Sequence, residues 1–324
     1  MKAIVQDRYG AAEVLRLRDI DRPVPGDGEV LVQVRAAGVD PGVWVFMTGR
    51  PYIVRAGLGL RRPRVRVRGR DVAGVVTAVG AGVTRFRPGD EVYGTTTRGA
   101  YAEYAVARAD RLAPKPAGLT FEQAAAAPVS GQTAVQALRD VARVREGQRV
   151  LVIGAAGGVG SFAVQIARAY GATVTAVCGP DKADLVRSLG AARVVDYTRQ
   201  EVDGEGPVYD VVVDTAGCRP LSTLRRAMAP GGTLVLVGGG HATGPLLGGM
   251  ERGLRALLLS PFTRHRLRML MALERSEVLA ELTRLIESGH VTPAVGRVHP
   301  LAEAPAALHH LAEGHPAGKI VITV

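Results

Sequence analysis

Hydrophobic positions along the chain follow two different patterns. Between residues 149 and 240, short apolar runs alternate with stretches of helical spacing. Val150–Ile153 is a continuous apolar run suited to a strand buried on both faces, and Gly158–Tyr170 places Val159, Ala163, Val164, Ile166 and Ala167 at helical intervals before Gly171 stops the helix. The pattern repeats with Thr173–Val177 as a strand, Asp181–Leu189 as a helix ended by Gly190, and strands at Val194–Val195 and Tyr209–Asp214. Pro230-Gly231-Gly232 then introduces a strand at Thr233–Val237 that runs into Gly238-Gly239-Gly240. Strands alternating with helices predict a doubly wound parallel sheet.

The first third reads differently. Glu29–Ala36, Val72–Ala78, Gly89–Val92 and Ala100–Ala107 are short strands set among many Gly and Pro residues, with little helical periodicity. A mostly β domain is expected there. Pro114, Pro116 and Gly118 punctuate a linker, after which Thr120 and Gln123 form a capping box that starts a helix over Phe121–Ala126. Towards the end, Glu277–Glu287 is an amphipathic helix with Leu279, Leu282, Leu285 and Ile286 on one side; Leu301–Leu311 is a second helix and Lys319–Val324 a strand. With 324 residues, two domains are expected.

The turn after Val150–Ile153 carries the candidate chemistry. Ala155, Gly157 and Gly160 occupy the three small-residue positions of the dinucleotide fingerprint, where the backbone must approach a pyrophosphate at the positive end of a helix. Ala156, Gly158 and Val159 complete the turn. An Asp or Glu ending the second strand would hold the ribose 2′-hydroxyl of NAD. Here that strand ends in Val177-Cys178-Gly179-Pro180, followed by Asp181 at the helix entry and Lys182, so a neutral turn and a cation would meet a 2′-phosphate, which favours NADPH. An empty strand-to-helix turn and a plain surface lysine are the alternatives.

Charge and cysteine content narrow the function classes. The net charge of +11 is carried almost wholly by arginine, with lysines only at Lys2, Lys115, Lys182 and Lys319. In a chain crowded with Ala, Gly and Val this reads as a coding bias rather than a nucleic-acid footprint, and aromatic residues for base stacking are scarce. Arg64-Val65-Arg66-Val67-Arg68 would set a solvated charged face on an extended segment, or steer an anionic substrate. Cys178 and Cys218 show no metal spacing and imply no disulfide framework. The polar start of the chain and the shortness of Leu254–Phe262 predict a cytoplasmic protein without membrane partners.

Gly69-Arg70-Asp71-Val72-Ala73-Gly74, Phe86-Arg87-Pro88-Gly89-Asp90-Glu91-Val92, Ser130-Gly131-Gln132-Thr133-Ala134, the 155–160 turn, Val195-Asp196-Tyr197 and Gly318-Lys319-Ile320-Val321 occur in an order that resembles the zinc-independent quinone oxidoreductase branch of the medium-chain dehydrogenase/reductase superfamily. The resemblance covers the whole chain. It implies a GroES-like β domain from residues 1–122 and 262–324, a Rossmann domain over 123–261, an active site in the interdomain cleft and a homodimer joined through the Rossmann sheet. It sets Asp40 and Arg70 where zinc dehydrogenases carry metal ligands, and every His lies beyond residue 240, so no catalytic zinc is expected.

Hydride transfer from NADPH to an acceptor that delocalises charge, a quinone or an α,β-unsaturated carbonyl, is the chemistry implied. By resemblance, Asp40 and Thr133 lie near the nicotinamide, Gly238, Gly239 and Gly240 line its ribose, and Tyr197 with Lys182 recognises the 2′-phosphate. Cys178, Gly179 and Lys319 join the cofactor-binding set, and His315 sits where relatives supply an arginine. Asp40 is either a cleft acid or a turn residue before Pro41; Tyr52 and Trp44 are candidate substrate walls or packing residues. Quinone reduction is the first expectation and enone or enoyl reduction the second. A non-catalytic NADPH-binding regulator is the third.

Overall fold

Val30, Val32 and Val34 recur at every second position of Glu29–Val39, and their burial on one side of the strand makes it the centre of the first sheet. The computed structural model describes residues 1–238, 247–314 and 317–324. It divides the chain into two compact units: residues 1–132, 274–287 and 292–324 form the first, and residues 133–273 with 288–291 the second. The boundaries at Gln132 and Leu273 lie ten and twelve residues downstream of those expected from the sequence.

In the first unit, the sheet runs Val295–Pro300, Lys319–Thr323, Glu29–Val39, Asp71–Val79, Glu91–Thr95, Leu112–Pro114, and Tyr104–Arg108 also pairs with Glu29–Val39. All pairings but the first are antiparallel. Lys2–Val5 and Arg16–Asp19 form a separate two-stranded ribbon. Ile4, Val30, Val72, Val92, Tyr101 and Ile322 meet in one apolar core. Out of the central strand the chain enters the helix Pro41–Thr48, capped by Asp40 and started by proline, and Gly49 at φ 59° stops it.

The second unit contains a six-stranded, wholly parallel sheet in the order Arg193–Asp196, Thr173–Cys178, Arg149–Ile153, Tyr209–Asp214, Met228–Val237, Arg266–Leu270. The winding direction reverses between Arg149–Ile153 and Tyr209–Asp214, which is the switch point where doubly wound sheets bind ligands. Leu151, Ile153, Val212, Leu234 and Leu236 fill the core beneath it. The fold is therefore a GroES-like β domain plus a Rossmann-type α/β domain.

Several local expectations change. Arg266–Leu270 is a sixth strand not anticipated from the sequence; its Arg-Leu-Arg-Met-Leu alternation buries Leu267 alone, as suits an edge. The helix expected over Asp181–Leu189 is a 3-10 turn at Pro180–Lys182 followed by a short α-helix, Ala183–Ser188. Gln136–Ala142 winds as a π-helix and ends at Arg143, whose φ is 54°. The arginine run is not one solvated face. Arg66 pairs with Asp7 at the surface, whereas Arg68 is buried and donates from Nη1 to the Phe46 carbonyl at 3.2 Å. The segment is held by an isolated β-bridge, Val5 to Val67, and by backbone bonds from Gln6 to Arg66 and from Ala100 and Tyr101 to Arg68, not by a regular strand, so strict alternation is not imposed. Burial pushes the Arg68 guanidinium down to about 10. Among the described residues no helix is long and apolar enough to cross a membrane.

Candidate functional site

The second unit supplies a nucleotide cradle built from close backbone approach. Gly154 leaves the strand Arg149–Ile153 at φ 78°, a conformation that favours glycine, and Gly157 caps the helix Gly158–Ala169. A Cβ placed on Gly160 would stand 2.1 Å from the Gly154 carbonyl oxygen and 2.7 Å from the Ala155 Cα, so only glycine fits where helix and turn touch. Ala155 and Ala156 are buried beneath the turn. The capping residue has no side-chain bond to the helix, and the first-turn N–H groups of Gly158, Val159 and Gly160 have no acceptor within it. Those donors and the helix dipole suit an anion such as a pyrophosphate.

At the end of the second strand the expected residues do converge. Cys178 is buried, its carbonyl accepts from the Tyr197 N–H at 3.4 Å, and the Tyr197 ring lies within 4 Å of where a Gly179 Cβ would stand. Burial pushes the Cys178 thiol up, which makes it a poor nucleophile. Lys182 is mostly buried and pairs with Asp181 at 3.8 Å, so the turn offers a cation and an anion side by side rather than a bare cation. Thr133 is buried with 8% exposure, and Gly238 has φ 76°. Gly239, Gly240 and His315 lie outside the described residues.

The first unit holds a second cluster. Asp40 is buried; its Oδ1 accepts from the Gly42 N–H at 2.8 Å as the helix cap, while Oδ2 is buried with no partner among the described residues. Arg70 lies beside Gly42, stacks over Phe46 at 5.4 Å and is ion-paired to Glu274, which also holds Arg111 at 3.1 Å. Asp71 is fully buried, accepts from the Val129 N–H at 2.7 Å and pairs with Lys319 at 2.9 Å. Desolvation raises the Asp71 carboxyl above the usual carboxylate range although Lys319 opposes the shift, and the nearby charge of Asp40 adds to it.

Two further expected site residues have partners of their own in the first unit. Lys319 is buried, pairs with Asp71 and donates to the Ser130 hydroxyl at 3.1 Å. Tyr52 is 43% exposed and sits between Arg50 and Arg55 at 5.7 and 4.7 Å. Trp44 packs against the core of the first unit. The Arg70–Glu274 ion pair was not legible in the sequence, which marks Arg70 only as a departure from histidine and gives Glu274 no local signal.

These donor sets decide which groups fit. The glycine cradle, with its unsatisfied N–H groups, fits a dinucleotide. Zinc does not fit the first-unit cluster: a guanidinium cannot ligate it, Asp40 already caps a helix, and Ser130 accepts from Lys319. Among the described residues no three His, Cys, Asp or Glu side chains gather as a metal set.

Residues 26–117 match the alcohol dehydrogenase GroES-like domain and residues 189–322 the zinc-binding dehydrogenase family. The quinone oxidoreductase of Mus musculus is 33% identical over 341 residues, covering 99% of this chain and 97% of the relative. Two solved structures, each 32% identical and covering 100% of both chains, are similar in fold: an NAD-dependent alcohol dehydrogenase at a TM-score of 0.86, and mycobacterial Rv1454c complexed with NADPH at 0.85.

Proposed function

Because the chain belongs to the medium-chain dehydrogenase/reductase superfamily, among its quinone oxidoreductase-like members, we propose that it is a zinc-independent, NADPH-dependent reductase of the cytoplasm that transfers hydride to a quinone. The observation that carries this reading is Arg70, a guanidinium held by Glu274 where zinc dehydrogenases carry a histidine ligand. NADPH, when bound, supplies the hydride. The turn at 154–160 would hold its pyrophosphate, and Tyr197 with Lys182 its 2′-phosphate. Arg70 keeps donors beyond the one facing Glu274 and can hydrogen-bond the oxyanion that develops on a quinone. Hydroquinone protons can come from water, so no placed acid is needed.

Enone reduction is the second reading, favoured by one observation: the unpartnered, buried Oδ2 of Asp40 could hold a proton for the α-carbon. Cofactor oxidation against paired quinones and enones, with oxygen excluded, separates the two. We expect quinone turnover with NADPH, and Arg70→Met lowering quinone kcat/KM by about 10- to 100-fold with NADPH affinity unchanged. Enone turnover that vanishes in Asp40→Ala favours the second reading. Tight NADPH binding with no turnover of any acceptor favours a regulatory protein.

Cofactor choice has its own test. Lys182→Glu sets a second carboxylate beside Asp181, and like charges repel a 2′-phosphate. The KM for NADPH should rise roughly tenfold or more while that for NADH changes little; equal effects remove Lys182 from the recognition of that phosphate. A homodimer is part of the proposal as well, supported by the edge strand Arg266–Leu270 and the exposed Leu258, Phe262 and Met271 around it.

A further inference from the structure

The parallel sheet of the second unit has a ligand-sized feature at the end of its strands opposite the glycine turn. The turn follows the carboxyl end of Arg149–Ile153. A cavity of about 550 Å³ lies instead at the amino ends of Tyr209–Asp214, Met228–Val237 and Arg266–Leu270, lined by residues that immediately precede or open those strands. None of the residues given a role above lines it.

Its charge is unbalanced. Arg226 is answered by Asp203 at 2.7 Å, but neither Arg225 nor Arg264 has an ion-pair partner among the described residues. The Arg225 Nε and the His265 Nδ1 are both buried without a hydrogen-bond partner. Arg225 and Arg226 stand in the last turn of Leu221–Ala227, where cations complement a helix dipole; that explains their place in the helix but leaves the buried Nε unanswered. Burial keeps the His265 imidazole below its ordinary pKa, and Arg225 reinforces this against a hydrogen bond with the Met228 backbone. Pro207, Met228 and Pro230 give the cavity an apolar wall beside the cations.

The geometry points to a second ligand site here, for an oxyanion of the phosphate-monoester class, held by Arg225 and Arg264 with its organic part against Pro207, Met228 and Pro230. Two unpaired guanidiniums match a dianion with three acceptor oxygens. The cavity is larger than inorganic phosphate needs, so the apolar wall has a ligand group to cover.

Calorimetric titration of the full chain with phenyl phosphate, inorganic phosphate and phenol at low ionic strength tests the site. Phenyl phosphate should bind with a Kd below about 1 mM, and phenol should not bind. Tighter binding of phenyl phosphate than of inorganic phosphate supports an organophosphate; equal binding supports phosphate itself as the ligand. Arg264→Glu, an exposed position, should weaken phenyl phosphate roughly tenfold or more and leave NADPH affinity as it was. Arg225→Met should do the same. No binding by the wild-type chain, or wild-type affinity in both variants, overturns the proposal.

Discussion

Replacing Lys319 with methionine should cost about 3–5 kcal/mol of stability, because it leaves the Asp71 carboxylate buried without its cation. Ser130 and the Val129 N–H close the pair, and Asp71 itself has no exposed surface. The pH dependence has a definite sign. A carboxyl whose folded pKa lies above its unfolded value binds its proton more tightly when folded, so the folded state gains stability as pH falls through the raised pKa towards the unfolded one. Losing Lys319 raises the Asp71 pKa further. The deficit of Lys319→Met should therefore be largest near neutral pH and shrink on acidification, measured as the difference in urea midpoint between variant and wild type. Asp71→Asn combined with Lys319→Met should recover part of the loss, since the neutral amide can still accept from Val129. A single variant as stable as wild type would show that the pair contributes nothing net.

Gly160→Val is expected to abolish dinucleotide binding together with much of the second unit's stability. The clash it makes is with backbone, the Gly154 carbonyl at 2.1 Å, and cannot be relieved by rotating a side chain. Gly157→Ala separates binding from folding. Its Cβ would meet nothing closer than the Gly154 carbonyl oxygen at 3.4 Å, and its φ of −79° suits any residue, so the fold should survive. A methyl group there would still obstruct a pyrophosphate, and NADPH affinity should fall by roughly tenfold, about 1.4 kcal/mol. Unchanged affinity in a folded Gly157→Ala protein would remove this turn from the cofactor site.

What could be read from the sequence was whatever depends on neighbours in the chain. The Thr120–Gln123 capping box forms with both of its hydrogen bonds, and the helix expected at Glu277 runs from Ser276 to Glu287 with its four apolar residues buried. The glycine turn was legible because its strand, turn and helix are contiguous. Contacts between distant residues left no such trace. Glu274 reaches Arg70, and Lys319 reaches Asp71, only because separate strands and loops meet in the first unit. Arg68 looked solvated because alternation was its only local cue, and Arg266–Leu270 gave no strand signal because an edge strand buries so little.

The position of Lys319–Thr323 in the first sheet bears on how the chain is made. That strand lies between Val295–Pro300 and Glu29–Val39, so the sheet cannot close until residue 323 has left the ribosome. The stretch 133–273, by contrast, emerges with its six parallel strands complete. Tyr104–Arg108 covers that edge at Glu29–Gln33, but at usual translation rates its Ala36–Val39 end waits roughly 15 to 60 s for Ile320–Thr323. During that interval the nascent chain carries an apolar strand edge open to other chains, and protection by a chaperone matters most then.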